Sequence, residues 1–109
     1  MTAPDPDLVT RLRRALDRDA AIALLARAVG TPSVTGHERA FAALLARELE
    51  AIGAEAVRLD DFAPGRPNVT AVLKGEGGGP TLMLLGHTDT VHVRGWAERW
   101  AGTEREDPF

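Results

Sequence analysis

His87 and Asp89 stand where chemistry is most readily done, in the run Gly86-His87-Thr88-Asp89-Thr90-Val91. A neutral imidazole is a good zinc ligand, and it needs a partner on its other ring nitrogen to fix the tautomer. A carboxylate two residues away can be that partner, or can orient the site. An H-x-D pair alone is a weak signal, and its meaning depends on what carries it. The chain has no cysteine, which excludes disulfides, thiolate metal sites and a cysteine nucleophile. Any metal must therefore be held by histidine and carboxylates. No G-x-S-x-G elbow is present to support another kind of α/β hydrolase. Gly77, Gly78 and Gly79 are not a phosphate loop, because no Lys-Ser/Thr follows and they enter a strand pattern rather than open a helix.

The elements that must position the pair follow from periodicity. From Leu8 to Val29 the pattern is helical, with a break near Asp17 to Asp19. Ile22, Leu25, Ala26 and Val29 recur at helical spacing and predict one buried stripe. Gly30 and Pro32 stop this helix. Thr35 and Glu38 have the spacing of a capping box, which predicts a helix start there. Phe41, Leu44, Leu45, Leu49 and Ile52 then line one face, and Gly53 ends the helix. Ala54 to Leu59 alternates as a short strand, Asp60 to Pro67 reads as loop, and Val69 to Lys74 alternates again. After the glycine-rich turn at 75–80, Thr81 to Leu85 is a near-continuous apolar run, which predicts a central strand covered on both faces. That strand leads directly into His87 and Asp89. In open α/β sheets, ligands gather outside the carboxyl ends of strands. Helices followed by three strands argue for an α/β sandwich.

The remaining candidates have plainer readings. His37 is expected as a solvated residue in the first helical turn, and His92 as an exposed loop histidine without a role, an extra metal or substrate contact being the alternative. Trp96 and Trp100, four apart, are expected to pack against the domain. The acidic stretch from Glu104 to Asp107 reads as a solvated loop. The first seven residues, rich in Pro and Asp, are expected to fray.

Bulk properties limit the partners. The 109 residues suit one small domain, and a chain of that length buries roughly two-thirds of its unfolded surface. A net charge of -3 gives no electrostatic reason to expect a nucleic-acid partner. No apolar run approaches the roughly 20 residues of a membrane span. Arg11, Arg13 and Arg14 before the apolar run at Ala20 to Val29 superficially resemble a secretion signal. Asp17, Asp19 and Arg27 interrupt it, so a cytoplasmic protein is expected.

The stretch Thr81-Leu-Met-Leu-Leu-Gly-His-Thr-Asp-Thr-Val91 resembles the strand-and-loop motif of the metallopeptidase family of acetylornithine deacetylase, succinyl-diaminopimelate desuccinylase, aminoacylase and glutamate carboxypeptidase. Thr31-Pro-Ser-Val-Thr-Gly-His-Glu38 resembles the family's segment between its first two helices. Arg66-Pro-Asn-Val69 resembles its entry to a strand, Gly77 to Pro80 precedes the buried strand in the expected order, and Asp107-Pro-Phe109 matches a family tripeptide. The H-T-D-T-V piece is the specific one. His92 departs from the family's usual proline, and the path from Trp100 to Asp107 is longer than the family's.

The resemblance implies a phosphorylase/hydrolase-like, three-layer α/β/α catalytic domain, of which this chain would be the amino-terminal part. It implies a hydrolase cleaving the amide bond of an N-acyl amino acid or small peptide. His87 would be a ligand to one zinc of a two-zinc centre, with cobalt or manganese as alternatives. Asp89 would be the catalytic-site carboxylate behind it. The family's bridging aspartate, glutamate general base and remaining ligands have no counterpart here, nor has its lid or dimerisation domain, so oligomerisation stays open. Catalytic zinc normally needs three protein ligands, and the chain alone is expected to be inactive. The rival expectation is a non-catalytic α/β module whose uncovered strand edges bind a partner.

Overall fold

The computed structural model describes residues 5–96 and 99–102. They belong to two units, one bounded by Met1–Gly30 and Ala101–Phe109, the other by Thr31–Trp100.

The first unit holds α1 (Pro6–Ala15) and α2 (Arg18–Val29). Each begins on an aspartate. Asp5 accepts from the Asp7 N–H at 3.0 Å, and Pro6 sits where its missing N–H costs nothing. Asp17 accepts from the Ala20 N–H at 2.9 Å and so restarts the helix after the extended Leu16. The break read near Asp17 is this cap. α1 thus begins inside the stretch expected to fray. The predicted stripe on α2 is not a buried one. Ile22 and Ala26 are half-buried, but Leu25 is 63% and Val29 46% exposed. Periodicity shows that a face is apolar, and it does not supply the surface that covers it.

The second unit holds α3 (Arg39–Ala51), β1 (Glu55–Ala63) and β2 (Arg66–Val72). The strands form an antiparallel hairpin with Leu59 opposite Val69 and Asp60 opposite Asn68. The stretch at 60–67 read as loop is mostly strand. Asp61 pairs opposite Pro67, and only Pro64 and Gly65 turn the chain. Gly65 has φ +74°, the left-handed conformation that the second residue of a Pro-Gly turn requires. Aspartates and a proline mislead here because a two-stranded ribbon consists of two edges, where both are tolerated. The described start of β2, Arg66, also precedes the predicted Val69.

α3 packs against both strands. Ala42, Leu44 and Ala46 form the buried apolar centre, with Pro67, Ser33 and Glu38 buried beside it. Phe41, Leu45 and Leu49 are half-buried, whereas Ile52 is exposed. Two of the three buried apolar residues are alanines, which lie outside the predicted apolar face. The helix ends as expected before Gly53, whose φ is +82°. Its start differs from the predicted capping box, because no side chain caps it. Glu38 accepts from the Gly36 N–H at 2.9 Å and pairs with Arg66, while Thr35 turns towards Asp89.

The predicted central strand at Thr81 to Leu85 does not form, and the described sheet has two strands, not three. Leu82, Met83, Leu84 and Leu85 are 80%, 78%, 86% and 87% exposed. A central strand needs hydrogen-bonding neighbours and cover on both faces, and the described residues provide neither for this run. Among the described residues the architecture is thus a small α/β arrangement of three helices and one hairpin, in place of two helices and three strands. Among the described residues, no helix is long and apolar enough to cross a membrane.

Candidate functional site

The loop from Gly86 to Val91 is irregular apart from one bridge, Val34 to Thr90, which runs parallel. Two segments far apart in sequence are laced together around it. The Ser33 hydroxyl donates to the Thr88 carbonyl at 2.6 Å, and the Thr90 N–H donates to the Ser33 carbonyl at 2.8 Å. The Thr35 N–H donates to the Thr90 carbonyl at 3.2 Å. The Thr35 hydroxyl donates to Asp89 Oδ2 at 2.8 Å. Ser33 is buried, at 2% exposure, and is satisfied by these bonds.

Within the loop, His87 Nδ1 lies 2.7 Å from the Asp89 backbone carbonyl and 3.2 Å from Asp89 Oδ1. A carbonyl oxygen only accepts, so the hydrogen bond places the proton on Nδ1. The other nitrogen, Nε2, is then the one with a lone pair, on an imidazole that is 84% exposed. This is the arrangement in which a histidine is oriented for a metal by an oxygen behind it. The two expected site residues, His87 and Asp89, are in contact within the loop. Asp89 titrates below the usual carboxylate range. The Thr35 hydroxyl is the main cause, against the cost of partial burial; its own backbone and His87 add to the effect.

Beyond Gly36 lies an ion pair between buried Glu38 and half-buried Arg66. Glu38 Oε1 accepts from Arg66 Nη2, and Arg66 Nε lies 3.1 and 3.2 Å from the two carboxylate oxygens. Arg66 holds Glu38 down at about 2, helped by the Gly36 N–H and opposed by burial. Glu38 in turn raises Arg66, with Asp89 a smaller contributor. The guanidinium also sits 4.9 Å from the centre of the Phe62 ring, a cation–π distance. Ser33, Thr35, Glu38 and Arg66 all lie in stretches that read as fold markers. The signal that could have picked them out is their polarity within segments otherwise destined for packing.

His37 is exposed in the turn before α3, rather than in its first turn, and His92 is exposed. Trp96 is 69% exposed, so the expected packing does not hold for it, whereas Trp100 is half-buried. The stretch from Glu104 to Asp107 and the tripeptide ending at Phe109 lie outside the described residues. Among the described residues, no three His, Cys, Asp or Glu side chains gather as a metal-binding group. His87 and Asp89 therefore fit one ligand's share of a metal site and not a complete one.

The chain is 39% identical over 90 residues to a succinyl-diaminopimelate desuccinylase of Leptothrix cholodnii, an alignment covering 81% of this chain and 22% of that protein. The chain thus spans about a fifth of the length of the curated relative it matches. The likeness agrees with the resemblance carried by the Gly86–Val91 loop, because that relative bears the name of one of the family's members. No protein-family model matches the chain, and no solved structure matches it.

Proposed function

We propose that this chain supplies part of the catalytic domain of a metal-dependent amide hydrolase of the deacylase family. Its substrate would be an N-acyl amino acid or a small peptide, processed in the cytoplasm without nucleic acid or membrane. The single observation that carries the reading is His87. Its Nδ1 is engaged by Asp89 and its Nε2 is left available, in a loop whose sequence resembles the family's specific motif. Supporting it is the 39% identity to a protein named a desuccinylase.

In this reading His87 would hold one metal ion through Nε2, and Asp89 would keep the ring in the competent tautomer. The metal, zinc in the family, with cobalt or manganese as alternatives, would supply Lewis acidity and an activated water. The three-layer α/β/α architecture belongs to the same proposal. The test uses the protein as its gene encodes it and measures zinc-dependent release of amino acid from N-acyl amino acids. Activity should require metal and disappear in His87→Ala. Full activity in that variant would remove the role assigned to His87.

One observation favours a second reading, that of a non-catalytic module that binds a partner. The run from Leu82 to Leu85 exposes four large apolar side chains in a row, more than isolated surface residues require. A compact monomer at low concentration, with slow amide exchange throughout 81–85, would sink this reading.

A further inference from the structure

We infer that Thr35 is a positioning residue for the His87–Asp89 loop, its hydroxyl setting where the Asp89 carboxylate stands behind the imidazole. The catalytic meaning of this role rests on the hydrolase reading above, whereas its structural meaning rests on geometry alone.

The Asp89 carboxylate is divided between two neighbours. Oδ2 accepts from the Thr35 hydroxyl at 2.8 Å, and Oδ1 faces His87 Nδ1 at 3.2 Å. A carboxylate fastened at one oxygen cannot turn freely about its last bond, so Thr35 determines what the other oxygen presents to His87. Thr35 can do this because it is itself fixed. Its N–H is bonded to the Thr90 carbonyl, and Ser33, one residue beyond Val34, closes the other two bonds of the clamp. On its other side, the Gly36 N–H is held by Glu38, and buried Glu38 is held by Arg66 of the hairpin. The position of the Asp89 carboxylate is thereby referred to the most buried part of the unit, through a residue 54 positions away in sequence.

Threonine suits the task and valine does not. The two have the same branched shape, but only threonine has a donor. Thr35→Val therefore removes the bond with little change in volume, and Thr35→Ser restores it.

The experiment compares these two variants in the protein as its gene encodes it. Zinc affinity is measured by competition with a chromophoric chelator, hydrolysis as kcat and KM, and folding by thermal melting. Thr35→Val should weaken zinc binding by about tenfold or more and lower kcat with KM little changed. Thr35→Ser should stay close to the parent, and both variants should melt with the parent. Equal zinc affinity in Thr35→Val and the parent would overturn the role, as would a serine variant as impaired as the valine one. A parent protein that neither binds zinc nor hydrolyses acyl amino acids would defeat the hydrolase reading instead. In that event NMR decides the positioning role. The carboxyl-carbon resonance of Asp89 should move in Thr35→Val and not in Thr35→Ser, and a resonance unmoved in both would overturn it.

Discussion

His87 Nδ1 lies 2.7 Å from the backbone carbonyl of Asp89 and 3.2 Å from its Oδ1, so one residue offers the imidazole two acceptors. The backbone acceptor survives any substitution at position 89, and the carboxylate does not. Asp89→Ala should therefore keep the tautomer and lose the charge behind the ring. Metal affinity is expected to fall by about 10–100-fold, whereas His87→Ala should abolish binding at this site. Chelator competition distinguishes the two, and equal losses would mean that the carbonyl contributes nothing.

The Glu38–Arg66 pair predicts how the fold meets acid. Glu38 titrates at about 2 in the folded chain against an ordinary 4.5, chiefly because Arg66 donates to it. The folded state thus favours the ionised carboxylate more than the unfolded state does. That contribution is complete above the unfolded value and is lost as pH falls through about 2. Urea midpoints measured from neutral pH downwards should decline across this window. In Glu38→Gln they should start lower at neutral pH and decline less, and an unchanged acid limb would refute the assignment.

Leu44 is 8% exposed and lies between Ala42 and Ala46, at 0% and 9%. Shortening it leaves a gap that its surroundings can close only partly. Leu44→Ala is expected to cost about 2 kcal/mol or more, and Ala42→Leu about 1–3 kcal/mol through overpacking. Chemical denaturation measures both. A neutral Ala42→Leu would mean that α3 stands further from the strands than described.

Ala56 has φ +50°, beside the register shift between Glu55 and Arg58. A left-handed conformation costs a residue with a Cβ roughly 1–2 kcal/mol, and glycine avoids that cost. Ala56→Gly should therefore stabilise the unit by up to about 1 kcal/mol, the gain being reduced by glycine's greater freedom when unfolded. A lower thermal midpoint in this variant would count against the bulge.

The helices were legible in the sequence because their determinants are local. Asp17 marks a start, Gly53 marks a stop, and the apolar period lies between such signals. The hairpin was half legible, since Asp60, Asp61 and Pro67 are loop formers that an edge strand can also hold. Thr81 to Leu85 departs from the strand expected of it for a different reason. Its composition states what the run requires, cover on both faces, but a strand exists only with a neighbour. The contact between His87 and Asp89 is legible because the two are only two residues apart. Ser33 and Thr35 were not recognised as their holders, because a contact across 54 positions leaves no trace in local spacing.

The exposed run from Leu82 to Leu85 has a consequence for the protein in a crowded cell. It is uncharged, follows Pro80 and precedes Gly86, and the stretch between these two breakers has no charged gatekeeper. Left uncovered, such a run is a template on which identical copies can stack, at a rate that climbs with concentration. Solubility therefore becomes a question of how soon the run is covered after synthesis. A lysine in place of Leu84 would keep a bare chain dispersed, and would leave any strand that needs that leucine buried unable to close over it.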